Sequence, residues 1–533
     1  MMFDLLIKGA TIVDGTGCQS WVGDAAIAGN RFAALDRHIP GDARRVIAAH
    51  GYILAPGFID IHCHSDFSLF DHPEADIKLR QGVTLEVLGN CGTSLAPLEA
   101  ISRNLIPAES DSDVQSWAHP LDWNSYGQYV RTLEGTGLSI NVTGLVGHGT
   151  LRLTAMGPAD GQPDPDQMTC MASLLSQSMD EGAAGLSTGL IYAPGYFADT
   201  RELVALARVA GRKGGYYASH IRNEADRIIP ALEEIICIGR EAEIPVHVSH
   251  LKIAGKKNWA LREAVVEKLT TARSEGIDIT CDVYPYYHSS TTILALLPPW
   301  SLDGGLAPLM SRLKSPQQRE RIIDGIKEGI PGWENMVQHS GLDKIVIAAV
   351  QSRRCKAFEG QSIAQIATAE RQDPLHLLLD LVASEKGAVS IITESMNEET
   401  MVRFLTLPFA MVGSDGSPNQ GRPHPRLYGT FPRVIRRVVR ELGALSMEAA
   451  VHKMSAMTAR RLGLKDTGLL RKGFKADAVL FDPLTFGDTA TYEHPRRFPQ
   501  GLLATIVNGE VVIDGEKHTG AKPGVFYRKR NRA

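Results

Sequence analysis

Cysteine is scarce in this chain: seven in 533 residues, an odd number. That argues against a disulfide framework and leaves each thiol as a core residue, a surface thiol or a ligand. No run approaches the ~20 consecutive apolar residues that span a bilayer, so no membrane partner is expected. Excess charge is lacking too. The formal net charge of −4 leaves no footprint for nucleic acid or an anionic surface. The one basic cluster, Arg528-Lys529-Arg530-Asn531-Arg532, reads as a solvated tail. The opening stretch "MMFDLLIKGATIVDG" has no basic region followed by an apolar segment and a small-residue cleavage site. A reducing cytoplasm is the expectation.

What is present suits a large enzyme. Apolar residues make up 44% of the chain, enough for one large domain and a smaller one. The two ends echo each other: residues 7–15 read "IKGATIVDG" and residues 507–515 read "VNGEVVIDG". Both are β-branched runs closed by an Asp-Gly turn signal. With "KADAVLFDP" (475–483) they predict a small β domain, a sandwich, built from residues 1–56 and 472–533. Between them, short apolar runs alternate with helical patterns, the mark of parallel βα units. The runs are 58–63, 83–88, 139–146, 184–188, 215–219, 245–249, 278–284 and 409–413. Eight such strands predict an α/β fold, a TIM-like (β/α)8 barrel over 57–471. The long interval between the seventh and eighth reads as an insertion, about 287–345.

The strand ends carry the chemistry. "FIDIHCHSD" ends the first strand with His62 and His64, and residues i and i+2 of a strand face the same way. Active sites of such barrels lie at the C-terminal ends of the strands. The second strand leads to Cys91, the fifth to His220, the sixth to His250 and the eighth to Asp415. Each alone has a bland reading as a buried thiol, a strand-end histidine or a turn aspartate. Six metal-competent side chains from five strand ends make a metal centre the better one. Thiolate with imidazoles suits Zn2+ better than magnesium or calcium. Cys91, His220 and His250 supply three ligands and leave a fourth position open, as in catalytic zinc sites. His62, His64 and Asp415 complete a second, weaker site, with Cys91 bridging. The i+2 rule also turns Arg222 and Lys252 towards the same mouth, where cations suit a substrate carboxylate.

These residues resemble the signature of the amidohydrolase superfamily. The chain is most similar to its N-acyl-D-amino-acid deacylases, the D-aminoacylases. The likeness runs nearly end to end through "GVTLEVLGNCGTSLAPL" (82–98), "GLVGHGTLR" (144–152), "SHIRNE" (219–224), "VSHLKIAG" (248–255), "DVYPY" (282–286), "LLPPW" (296–300), "VGSDG" (412–416) and "HPRLYGTFPRV" (424–434). The resemblance implies one tightly held zinc at Cys91, His220 and His250, with His62, His64 and Asp415 lining the weaker site. It places Lys252 and Tyr284 at the substrate carboxylate and Tyr192 in the pocket, with Arg222 and Ser290 as further candidates. His148 and Arg152 are either supporting or structural, and Cys63 is a packing residue. Hydantoinase-like relatives bridge two metals with a carbamylated lysine from strand four. Here that strand, "AGLSTGL", has no lysine.

The implied reaction is hydrolysis of a small N-acyl-D-amino acid to a carboxylate and a free D-amino acid. Zinc lowers the pKa of water towards about 7, the resulting hydroxide attacks the acyl carbon, and Asp415 is general base and then general acid. The alternative is a cyclic-amide hydrolase, hydantoinase or dihydroorotase-like, which the missing lysine disfavours. An arginine in the pocket would favour acidic side chains, and Arg422 and Arg426 both lie near the eighth strand. Homo-oligomerisation is a general expectation only.

Overall fold

Alternating apolar residues set the first strand, Phe3–Ile12 (β1), with Leu5, Leu6, Ile7, Ala10 and Ile12 buried. Trp21–Ala28 (β2), Arg31–Asp36 (β3), Ala43–Ala48 (β4) and Ile53–Pro56 (β5) follow. This computed structural model describes residues 2–99 and 121–529. Of the basic tail, Arg530, Asn531 and Arg532 lie outside the described residues, and Arg528 pairs with Glu134.

The parallel strands come next. They are Phe58–Asp60 (β6), Val83–Leu88 (β7), Asn141–Gly144 (β8), Val146–Gly147 (β9), Gly185–Gly189 (β10), Tyr216–His220 (β11), Val246–Val248 (β12) and Ile279–Val283 (β13). His288–Thr292 (β14), Ile345–Ala349 (β15) and Ser390–Glu394 (β16) form a separate antiparallel sheet, in the order β14, β16, β15. Ala410–Val412 (β17) returns to the parallel set. The chain closes with Ala478–Phe481 (β18), Leu502–Val507 (β19), Glu510–Asp514 (β20) and Lys517–His518 (β21).

Both ends of the chain meet in one nine-stranded sheet, ordered β21, β20, β19, β18, β5, β1, β2, β3, with β4 also on β1. The junction is the antiparallel pair of β5 with β18. The middle of the chain forms two parallel sheets. One is ordered β6, β7, β8 and the other β17, β13, β12, β11, β10, β9. β8 and β9 are one stretch interrupted at Leu145, whose N–H still donates to Leu88 O. At the far edge, a parallel bridge joins Cys63 to Gly416.

The strands have two apolar faces. Leu186, Tyr217, Val246, Val248 and Cys281 pack against helix residues such as Leu203, Leu232 and Leu269 in the largest core. Leu85, Val87, Tyr216, Ala218 and Met411 form a second cluster. The helix Thr200–Arg212 shows how the layer is built. Asp199 caps it by accepting the Glu202 N–H, and Leu203, Leu206, Ala207 and Ala210 are buried along one face. A fully buried leucine contributes roughly 1.5–3 kcal/mol. The antiparallel sheet has its own core, including Ile293, Ile345, Leu378 and Ile391. The sequence placed the end of this inserted stretch near 345. The sheet runs on to Glu394 because the run "IVIAAV" is its edge strand and needs β16 as partner.

One buried ion cluster locks β6 to β7. Lys78 Nζ donates to Asp60 Oδ2 at 2.6 Å and to Ser414 Oγ at 3.1 Å, and lies 2.8 Å from Glu86 Oε1. Lys78, Asp60 and Glu86 are all buried. Breaking such a pair from one side leaves uncompensated charge and costs about 3–5 kcal/mol. Lys78→Met, which keeps most of the volume, is therefore expected to lower the urea-unfolding stability by about that amount. A change below ~1 kcal/mol would show that the cluster does not hold the fold.

Candidate functional site

Six side chains converge where the parallel strands end. β11 closes on His220 itself, on the face shared by Ala218 and Tyr216. The other five lie just past their strands: His62 and His64 after β6, Cys91 after β7, His250 after β12, Asp415 after β17. Cys91, His250 and Asp415 have φ of 50°, 37° and 49°. That left-handed region costs a residue with a Cβ about 1–2 kcal/mol, and such outliers gather at functional sites. Two glycines let the Cys91 turn lie flat on β10. A Cβ on Gly92 would sit 2.7 Å from Gly189 N, and one on Gly189 would sit 2.2 Å from Cys91 O. Ser187 braces the same turn, accepting the Gly92 N–H at 3.1 Å and donating to Gly89 O at 2.5 Å. Asp66 Oδ1 accepts the Gly89 N–H at 2.8 Å.

The donor atoms fall into overlapping groups. Cys91, His220 and His250 offer ligand atoms within 4.8 Å of one another, as do His62, His64 and Cys91, and His62, His250 and Asp415. Cys91 Sγ is 3.2 Å from His62 Nε2 and 3.5 Å from His250 Nε2. Asp415 Oδ1 is 3.0 Å from His64 Nε2 and 3.5 Å from His62 Nε2. The other ring nitrogens face acids. His62 Nδ1 is 3.3 Å from Asp282 Oδ2, which is also 2.9 Å from His247 Nε2. His250 Nδ1 is 3.0 Å from Glu224 Oε1. Such carboxylates fix the tautomer and aim the remaining nitrogen at a metal. A further trio, Asp60, Cys63 and Glu86, already surrounds the Lys78 ammonium. Cys63 is fully buried and donates to Val87 O, as a packing residue would.

The electrostatics fit a bound cation. Burial alone would push the Cys91 thiol up, but the fields of His62 and His250 hold it well below the ordinary thiol range. Burial lowers His220, keeping its imidazole neutral, and neither of its ring nitrogens has a hydrogen-bond partner. A thiolate beside a neutral imidazole, whose unprotonated nitrogen offers one lone pair, is the donor chemistry of zinc. Burial opposes ionisation of Asp415 as well. Arg426 first, then His250 and His62, outweigh it and hold the carboxyl well below the usual range.

A cavity of about 240 Å3 opens above these groups, lined by His64, Cys91, His220, His250, Asp415, Lys252, Tyr192, Ser290 and Arg426 among others. Lys252 is buried, with Nζ donating to both Glu224 oxygens at 2.7 and 2.8 Å. Tyr192 Oη is 2.9 Å from Thr291 Oγ1. Ser290 uses its carbonyl to accept from Arg426 Nη2 at 3.3 Å. Tyr284 stands behind this wall in a smaller adjoining cavity, its Oη without a partner. Arg222 is not brought in. Its guanidinium pairs with Glu234 at 2.9 Å and donates to the carbonyls of Tyr196 and Ala198. Strand alternation ends with β11 at His220, so the i+2 rule does not carry to residue 222. His148 and Arg152 are buried against Glu202, which ties the helix His148–Met156 that follows β9 to the helix Thr200–Arg212. Arg422 is exposed. Glu224, Asp282 and Glu202 were not singled out by sequence reasoning, because no periodicity marks the partner of a histidine.

A family model, the amidohydrolase family, matches residues 45–286 and 401–513. The chain belongs to the amidohydrolase family. An N-acyl-D-aspartate deacylase of Alcaligenes xylosoxydans xylosoxydans is 37% identical, over 98% of this chain and 94% of that protein. A D-aminoacylase of the same organism is 33% identical, over 98% and 97%. A crystal structure of N-acyl-D-glutamate deacylase from Bordetella bronchiseptica, complexed with zinc and a phosphonate mimic of the tetrahedral intermediate, matches with TM-score 0.84. It shares 33% identity and covers 99% of this chain and 100% of that one. Within the amidohydrolases, the chain falls with the N-acyl-D-amino-acid deacylases, hydrolases of linear amide bonds. Among the described residues, no helix is long and apolar enough to cross a membrane.

Glu224 ties the site to stability. Burial would raise its pKa, but His220, Lys252 and His250 lower it from 4.5 to about 2. A depressed carboxylate stabilises the fold above its unfolded value, and that contribution is lost as pH falls towards the folded value. Urea midpoints of the native chain at about pH 6, 4 and 3 are expected to drop on acidification, and those of Glu224→Gln to drop less. Parallel pH profiles would remove Glu224 from the account.

Proposed function

We propose that the chain is a zinc-dependent deacylase that hydrolyses N-acyl-D-amino acids to a carboxylate and a free D-amino acid. The observation that carries this reading is the meeting of Cys91, His220 and His250 beneath a cavity that also exposes the ionised Asp415. Those three residues hold the zinc, and His62, His64 and Asp415 line a weaker second position. A zinc ion held there supplies Lewis acidity at neutral pH.

The chain's own groups do the rest. Arg426 Nη1, 2.8 Å from Asp415 Oδ2, and His64, 3.0 Å from Oδ1, pin the carboxylate and keep it charged. An ionised carboxylate can take a proton from the attacking water. Asp415 then returns that proton to the departing nitrogen, because an amine leaves only when protonated. The substrate carboxylate goes to the wall of Arg426 and Ser290, which Lys252 also lines, with Tyr284 behind it. Arg426 Nε and Tyr284 Oη are buried without hydrogen-bond partners. Leaving such donors unpaired costs about 1–3 kcal/mol each, which a bound carboxylate would recover. Tyr192 packs edge-on against His220, ring centroids 5.1 Å apart, and closes the pocket from the side.

The matching fold reading is a closed (β/α)8 barrel, supported by the bridge from Cys63 to Gly416 between the first and last parallel strands. The nine-stranded sheet is its small terminal domain, folded as a sandwich over residues 1–56 and 472–533.

The zinc-loaded protein, given N-acetyl-D- and N-acetyl-L-amino acids in parallel with a chiral amine readout, is expected to release amine from D forms alone. Asp415→Asn is expected to lose at least ~100-fold in kcat while retaining zinc at Cys91, His220 and His250. Turnover of cyclic amides alone, or an Asp415→Asn variant as active as the parent, would overturn the reading.

A further inference from the structure

The relatives do not choose a side chain. They are, by name, an N-acyl-D-aspartate deacylase, a D-aminoacylase and an N-acyl-D-glutamate deacylase, at 37%, 33% and 33% identity. The cavity of this chain does choose. Among the described residues, and apart from the histidines of the candidate metal cluster, its wall carries two basic side chains, Lys252 and Arg426. Lys252 is held between both oxygens of Glu224, and Arg426 lies against Asp415. His339 also reaches the wall, but burial lowers its pKa, so it adds no charge at neutral pH. Arg422 turns away, its Nη1 beside Gly360.

One substrate carboxylate can be met by Arg426, whose Nε is buried without a hydrogen-bond partner. A second has no counterion. The rest of the wall, supplied by the stretch between β13 and β17, is uncharged or acidic. Leu294, Ala295, Leu302 and Met336 are apolar, Thr292 offers a hydroxyl, and Glu334 is a buried carboxyl. A side-chain carboxylate placed there would be desolvated and, among the described residues, unpaired. An uncharged apolar side chain would instead gain by burial.

We infer that this chain takes N-acyl-D-amino acids with uncharged, apolar side chains and rejects the D-aspartate and D-glutamate derivatives that two of its relatives are named for. The inference rests on the deacylase reading and narrows it. The specificity-determining groups are the apolar residues of the inserted stretch, Met336 and Leu294 foremost, which stand where a cation would be needed to hold an acid.

The test is kcat/KM of the zinc-loaded full chain on N-acetyl-D-leucine, N-acetyl-D-methionine, N-acetyl-D-aspartate and N-acetyl-D-glutamate. The apolar pair is expected to exceed the acidic pair by at least ~10-fold. Met336→Arg, at a half-buried position at the cavity edge, is expected to shift the glutamate-to-leucine ratio towards glutamate by at least ~10-fold. Acidic substrates turned over as well as the apolar ones by the parent chain would overturn the inference and leave the deacylase reading intact. No turnover of any D substrate would overturn both.

Discussion

The negative charge of Cys91 is what the rest of the site is arranged around. An anion taken out of water needs a partner, and two imidazoles press their Nε2 atoms to within 3.2 and 3.5 Å of the sulfur. Each imidazole is backed by a carboxylate, Asp282 behind His62 and Glu224 behind His250. Glu224 is balanced in turn by Lys252. Charge alternates outward in rings, so no member can be changed without exposing the next. His220 is the exception, with two buried nitrogens and no hydrogen-bond partner. A network that satisfies its other imidazoles and leaves this one open is built to receive a cation.

That arrangement explains why the strand ends are strained. Cys91, His250 and Asp415 all adopt positive φ, although none is glycine. Extended backbone would carry their side chains on along the strand direction. The left-handed turn instead folds each back across the end of the sheet, where the other strands' donors lie. The cost falls on the framework. Glycines at 89, 92 and 189 allow the close approach, and Ser187 and Asp66 supply the hydrogen bonds that hold it.

Much of this was legible in the sequence, and the part that was not has a physical boundary. All eight apolar runs proposed as parallel strands are strands, and the matching runs at the two termini lie in one sheet. Periodicity and turn residues specify such local features directly. The rule that residues i and i+2 share a face served as long as the chain stayed extended. It failed for Arg222, which leaves the strand and pairs with Glu234; Lys252 does line the cavity, but beyond the end of β12 and the left-handed turn at His250, so not by strand alternation. Contacts across long sequence separations were invisible. Nothing in "SHIRNE" tells that Glu224 will hold His250, or in "DVYPY" that Asp282 will orient His62, because each pairing depends on two turns meeting in space.

Arg426 shows how far geometry can revise a role assigned by chain position. Near the eighth strand, an arginine offered itself as a selector of acidic side chains. In the structure it is buried, stacks its guanidinium 4.7 Å from the Tyr284 ring centroid, and steadies Asp415. A group held this way belongs to the reacting end of the pocket. Lys252 is the other cation in reach, yet a substrate anion binding it would compete with two short bonds from Glu224. Arg426 and Tyr284 already carry unpaired donors, so a carboxylate can join them without breaking anything. On the deacylase reading proposed above, Arg426 and Tyr284 would meet the fixed part of the substrate, with Ser290 of the inserted stretch beside them, and the rest of that stretch, which the family model leaves out, would meet the variable part.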